Sequence, residues 1–342
     1  MNQATLSTWY LLLISSGLLL FYFVLIIYTW FFRYFGELTI GKDKKQLEVL
    51  ICSFFNMADK KENIVQNLKG IVQKINALQR LKLFIKNSTK RKNLLINILI
   101  NYGDDFIESN YDSLMNVYEV IGIKSFLIKR LTSKSVFIKS LVCRQLGALK
   151  LKDSEAYIFK LISCKNNDVR YNVLLALARL GDINGLIFIL TNKSENINIS
   201  YRAVIEIISA FKGSKEDLIK RTLELSDDYI KGILIKAAAD YKFEGLRKYY
   251  LKYLKSDDKN LKIACIRALC GLGDSVYEDY IIDMLDDKAW EVRAAAAKSL
   301  EKIGTNNCFT ALGKTIGDSE WWVRYNVAST LNITSRRKGI RI

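Results

Sequence analysis

Hydrophobic positions follow two different patterns along the chain. Up to Phe32 no side chain is charged, and residues 9–32 (WYLLLISSGLLLFYFVLIIYTWFF) are apolar apart from Ser15, Ser16, Thr29 and a few tyrosines. A helix of that stretch, at ~1.5 Å per residue, measures ~36 Å against a hydrocarbon core of ~30 Å. The pattern therefore predicts a transmembrane helix within an anchor at 1–35. Trp9 and Tyr10 at one end and Tyr28, Trp30 and Tyr34 at the other fit two interfacial aromatic belts. A cleaved secretory signal would need a basic start, a shorter apolar run and a small-residue cleavage site, and the sequence has none of them.

Further along, apolar positions recur at helical spacing in paired short segments with a period near 31. A basic residue marks each unit at Lys139, Arg170, Arg202, Lys231, Lys262, Arg293 and Arg324, with steps of 31, 32, 29, 31, 31 and 31. Offsets −1, +3 and +7 from this slot are apolar in nearly every unit, as in Val169, Val173 and Leu177 or Val292, Ala296 and Leu300. Those offsets trace one face of a helix, here called helix B. Eight and twelve residues before the slot, pairs such as Ile162/Ile158 and Leu285/Ile281 trace a preceding helix A. Gly181, Gly273 and Gly304 stand eleven residues after the slot, where a left-handed residue can close helix B.

The turn–slot sequences Asp168-Val169-Arg170, Glu291-Val292-Arg293 and Trp322-Val323-Arg324, with the alanine-rich stretches 294–297 and 237–239, resemble the HEAT repeat family, especially the short bacterial version also found in phycobilin lyase subunits. The resemblance implies an all-α fold, an α-solenoid of HEAT-like helix pairs preceded by one transmembrane helix. It also implies that helix B rows line a concave surface and that the slot cation ties neighbouring repeats through an acid in the turn. Lys139, Lys231 and Lys262 depart from the pattern, because lysine lacks the bidentate fork of arginine, so looser joints are expected there. Upstream, the eleven residues from Lys92 to Gly103 repeat the slot-to-glycine distance. The domain reading is an anchor at 1–35, a helical linker with degenerate repeats or a cap at 36–125, the solenoid at 126–335 and a basic tail at 336–342.

Composition narrows the chemistry. The 342 residues include no His and no Pro. Without histidine a Ser/His/Asp triad, a Cys/His dyad and a His-ligated metal site are excluded; without proline no position is barred from a helix. No phosphate-cradling loop or nucleophile elbow occurs, so no catalytic, cofactor or metal residue is assigned. The acid pairs at 227–228, 257–258 and 286–287 fall just before helix B, where Asp caps free amides. Six scattered cysteines without framework spacing read as small hydrophobes in a reducing compartment.

The formal charge is +17, of which +11 lies between Arg33 and Lys150. That basic excess next to the anchor fits an anionic membrane surface, and by the positive-inside rule it places the N-terminus outside and the solenoid in the cytoplasm. Five residues after the slot, helix B carries Arg144, Lys236, Arg267 and Lys298, and nine after it Arg179 and Lys302. Trp290 and Trp321, with Trp322 beside them, fall at the turns, where they either pack between repeats or offer an interaction ridge. The expected function is a membrane-anchored, non-catalytic scaffold at the cell membrane that binds a protein partner, such as a membrane glycosyltransferase or a signalling protein. The alternatives are nucleic-acid binding through the basic row, which the anchor and the gaps in the row disfavour, and a lyase or accessory subunit of a membrane enzyme.

Overall fold

The computed structural model describes residues 3–55, 64–191 and 200–338, and every regular element among them is a helix. The chain divides into two compact units, 1–126 and 127–342.

The first unit holds α1 (Gln3–Phe55), α2 (Ile64–Ile85), α3 (Thr89–Asn101), α4 (Asp104–Ser109) and α5 (Tyr111–Ile121). The expected boundary at residue 35 is not a break, because α1 runs on through Gly36 and Gly41. Among the described residues α1 is the one helix long and apolar enough to cross a membrane. Its side chains from Ser15 to Phe31 are all exposed, whereas Leu47, Ile51 and Phe54 are buried where α1 meets α2 and α3. The side chains of Trp9 and Tyr10 lie outside the described part of the structure.

Helix α3 repeats the helix B frame. Ser88 caps the Arg91 amide at 3.3 Å, and fifteen residues later, at the spacing that also separates Asn166 from Gly181, Gly103 takes a positive φ of 87°, with an extended ψ of 173° where Gly181 has 18°. Arg91 then forms a fork with Asp43 of α1, both contacts at 3.2 Å, and donates to the Phe84 carbonyl at 2.6 Å.

Among the described residues from 123 onward stand seven helix pairs, whose first A helix begins four residues before the second unit. The A helices are α6 (Ile123–Leu131), α8 (Glu155–Phe159), α10 (Ile183–Thr191), α12 (Lys215–Leu225), α14 (Arg247–Tyr253), α16 (Glu278–Asp283) and α18 (Asn307–Thr315). The B helices are α7 (Val136–Ala148), α9 (Asn167–Leu180), α11 (Tyr201–Ala210), α13 (Asp228–Tyr241), α15 (Lys259–Leu272), α17 (Trp290–Ile303) and α19 (Trp321–Lys338). The basic tail is not separate: residues 336–338 continue α19, and 339–342 lie outside the described residues.

Packing follows the apolar register. B helices stack on one another, α7 on α9 and α13 through α15 and α17 to α19, and the offset −1 and +7 residues Val169, Leu177, Val292 and Leu300 are fully buried. At the α7–α9 joint a Cβ on Gly147 would stand 2.8 Å from the Ala176 Cα, so only glycine allows this approach.

Three expectations change. Gly181 and Gly273 are left-handed, but Gly304 is extended at φ −62°; its Cβ would meet the Leu300 carbonyl oxygen at 2.4 Å, so close packing rather than backbone freedom requires glycine there. Lysine takes the left-handed place after α7 and α13, at Lys150 (φ 55°) and Lys242 (φ 53°). Arg202 is not in the slot. In α9, α13 and α15 the slot is four residues past the cap, but α11 is capped by Ser200, so Val204 takes that place, buried, while Arg202 is exposed in the first turn. Counted at Val204 the steps become 34 and 27, so the steps of 32 and 29 at Arg202 understate this two-residue slip.

Candidate partner-binding face

B helices are buried on most of their surface, which makes their few exposed side chains informative. Lys236, Arg267 and Lys298 are each exposed while the two residues before and after them are buried, and Arg144 on α7 stands the same way. Offset +5 is therefore a solvent-facing row occupied by four cations. The row is interrupted on α9, where Leu175 turns inward, and on α11, where the two-residue slip puts the exposed but uncharged Ser209 at this offset and the buried Ile207 at +3. At offset +9, Lys302 is exposed and Arg179 half-buried.

These cations differ in how they are engaged. Lys298 Nζ reaches Glu301 one turn on, at 2.5 Å. Lys236 Nζ sits 4.0 Å over the Tyr201 ring, whose hydroxyl donates to Asp240 Oδ2 at 3.3 Å. Burial, then the Asp240 charge and hydrogen bond, raise the Tyr201 hydroxyl above its ordinary pKa, so it stays a neutral donor. Arg267 has no ion pair or hydrogen bond among the described residues.

Between α13 and α15 the surface opens into a groove of about 340 Å³ with Lys236 and Arg267 in its lining. Its apolar part is Ile233, Ile263 and Ala264; Tyr201 and Tyr229 join them, and Gly232 leaves open space where a side chain would stand. Asp228 and Asp258 also line it. Sequence reasoning found the two cations by their common offset but not the groove. Its signal is Gly232, a glycine inside an otherwise well-formed B helix next to an exposed tyrosine.

Two of the slot residues, Arg293 and Lys262, tie one turn to the next, and none of the slot residues lines the groove. Arg293 forks onto Asp318 in the next turn, Nε–Oδ2 at 2.7 Å and Nη2–Oδ1 at 2.9 Å, while its Nη1 donates to its own turn at the Asp287 carbonyl, 2.8 Å. Lys262 makes a single contact to Asp287 Oδ2 at 2.5 Å. In both pairs little of either side chain reaches solvent. The Arg293 bond, against the smaller opposing pull of burial, holds the Asp318 carboxyl below the usual range. At Asp287 burial is the largest influence and works upward, but the Lys262 ammonium and the Ala289 amide together overcome it, and the carboxyl is again lowered. Arg324 and Arg170 donate to their own turns, at the Asp318 and Cys164 carbonyls. Lys231 pairs within its own helix with Asp228 at 3.0 Å, and no acid stands twenty-five residues beyond Lys139 or Lys231, where Cys164 and Ser256 are found.

Trp290 and Trp321 open α17 and α19 rather than lying in the turns before them. Trp321 stacks on Tyr325 with centroids 5.2 Å apart, and Trp322 meets Trp321 edge-on at 4.7 Å, yet both tryptophans are 54% exposed. Trp290 is the most covered of the three.

Asp227 and Asp258 cap the Ile230 and Leu261 amides at 3.0 and 2.7 Å, as the sequence suggests. Cys143, Cys265, Cys270 and Cys308 are buried and Cys52 is exposed. Burial pushes the Cys143 thiol up to about 12 and Cys270 to about 11, so both pack as neutral groups. No cluster of three metal-ligating side chains occurs among the described residues. A contact the sequence did not reveal is Glu278, buried, which accepts from the Thr305 amide and hydroxyl at 2.6 and 2.5 Å and secures the turn after α17.

Residues 278–339, the last two helix pairs, match a family model described as HEAT repeats. Solved structures similar to the chain include an engineered protein, 18% identical with a TM-score of 0.37, covering 87% of this chain and 91% of its own. Human deoxyhypusine hydroxylase in complex with glycerol is 15% identical with a TM-score of 0.29, over 88% of this chain and 100% of its own. No curated protein matches.

Proposed function

We propose that this chain is a membrane-anchored, non-catalytic scaffold: α1 crosses the membrane once with its N-terminus outside, and the helix pairs after residue 126 bind a protein partner on the cytoplasmic side. The observation that carries the binding half is the row of exposed cations on otherwise buried B helices, two of which border a partly apolar groove. Neither folding nor solubility calls for a groove beside an unpaired arginine. The anchor half is supported by the exposed apolar side chains from Leu18 to Phe31 and by the Thr29 hydroxyl, which donates to the Ile26 carbonyl at 2.9 Å and so brings no unsatisfied polar group into lipid. The charge of +11 between Arg33 and Lys150 favours an anionic cytoplasmic leaflet beside the anchor. A HEAT-repeat match is compatible with a scaffold and selects no activity.

The test is photo-crosslinking in membranes from the offset +5 row, with a crosslinker at Arg144 or Lys298 and identification by mass spectrometry. One recurrent protein, membrane enzyme or signalling protein, is expected. A result with no recurrent protein, or with nucleic acid instead, overturns the scaffold reading.

A further inference from the structure

We infer that the groove between α13 and α15 takes a linear peptide segment in which an apolar side chain adjoins a carboxylate. This deepens the scaffold reading and rests on it for the claim that a partner exists, but the groove's chemistry is argued from its own residues.

The four charged residues of the groove are not equivalent. Asp258 Oδ1 is occupied by the Leu261 amide at 2.7 Å, and Asp228 Oδ1 by Lys231 at 3.0 Å. Lys231 offsets the Asp228 charge; the Leu261 amide holds the Asp258 oxygen in place but leaves its charge, which the two cations outnumber. Lys236 has only an aromatic ring beneath it, and Arg267 has no partner among the described residues. The charge left for a ligand is therefore positive and comes from two cations on adjacent helices. Between the helices, Ile233 and Ala264 are largely covered and Ile263 half-covered, and Gly232 leaves the space over them open. An apolar side chain fits that space, and a neighbouring carboxylate then meets Arg267 as a fork, a geometry that guanidinium offers and ammonium does not. Nucleic acid is a poorer fit, because the cation row breaks at Leu175 of α9 and carries the uncharged Ser209 on α11.

The experiment pans a random twelve-residue displayed peptide library on the full chain in detergent and then measures one enriched synthetic peptide by fluorescence anisotropy. Enriched sequences are expected to place Asp or Glu within two residues of Leu, Ile or Phe. Arg267→Glu and Lys236→Glu should each weaken the peptide tenfold or more, and Lys314→Glu, on helix α18, should not. Gly232→Leu fills the groove without touching the core, since a Cβ there meets no atom within 4 Å, so it should abolish binding while the helical circular dichroism is kept. Absence of enrichment, enrichment without an acid, or full binding to Gly232→Leu overturns the inference. A membrane partner whose crosslinking survives Gly232→Leu leaves the scaffold standing and removes this groove from it. Peptides that obey the rule while no membrane partner is recovered do the reverse.

Discussion

The joint between α7 and α9 and the joints from α15 to α19 bring B helices together with different chemistry. At the first, Gly147 lets backbone approach backbone at Ala176, and the slot cation Lys139 has no acid to reach. At the last, Arg293 forks onto Asp318 and its own turn at once. Lys262 and Asp287 stand between, with one bond in place of two, flanked by the more exposed Lys259–Glu291 pair at 2.5 Å. The lesson is that a slot cation does nothing across a joint unless the acid stands twenty-five residues on. Where it is missing, as beyond Lys139, shape takes over; among the described residues, contact between B helices is thinnest around α11.

The largest effect should come from Arg293→Met, which keeps much of the apolar stem but leaves the half-buried Asp318 carboxylate without its fork, on the Glu320 amide alone. We expect a loss of about 2–3 kcal/mol in urea unfolding of the detergent-solubilised chain. A loss below half a kcal/mol would mean that the C-terminal joints, like the first, are held by shape alone. Acid sharpens the same point. Both Asp318 and Asp287 are held below their ordinary pKa. Their contribution is complete above the unfolded value of about 3.9 and is lost as pH falls through the lower folded values. Between pH 5 and pH 2.5 the wild type should therefore lose more melting temperature than Asp318→Asn, and parallel curves would refute the assignment.

Gly147→Ala tests the other joint. Overpacking costs about 1–3 kcal/mol, and the gain in helix propensity from losing a glycine returns up to about 1. A net loss of about 1–2 kcal/mol is expected, with no change in the acid profile, because Gly147 and Ala176 carry no titratable group. If this variant altered the acid profile as Asp318→Asn does, the two joints would not be independent.

How much of this was legible in the sequence follows from the range of each interaction. The helix pairs, the slot and the caps at Asp227 and Asp258 are local, and periodicity carries them. The slip at Arg202 was hidden, because counting from one basic residue to the next gives steps of 32 and 29 in place of 34 and 27; the cap at Ser200 decides the register. Lys236 and Arg267 share an offset, so their common face was predictable. The groove beside them depends on the distance between two helices and on the space over Gly232, which no one-dimensional pattern encodes. Glu278 with Thr305 was hidden for a similar reason, since one acid among many marks no partner twenty-seven residues away.

The smallest effect concerns how B helices end. Asn166 to Gly181 and Asp258 to Gly273 close after fifteen residues with a left-handed glycine at φ 85° and 81°. Asp227 to Lys242 closes after the same count with a lysine at φ 53°, and its amide still returns to the Ala238 and Ala239 carbonyls. Helix α13 therefore makes the same turn with a Cβ opposed to it, at a cost of roughly 1 kcal/mol that the other two avoid. Lys242→Gly removes the clash but gives the unfolded chain more freedom, worth about 0.4–1 kcal/mol, so the net gain should be at most about 0.5 kcal/mol in urea unfolding. Gly273→Lys should lose a similar amount. If Lys242→Gly instead destabilised the chain, the lysine side chain would be supplying a contact that outweighs its strained backbone, and the three ends would not be equivalent.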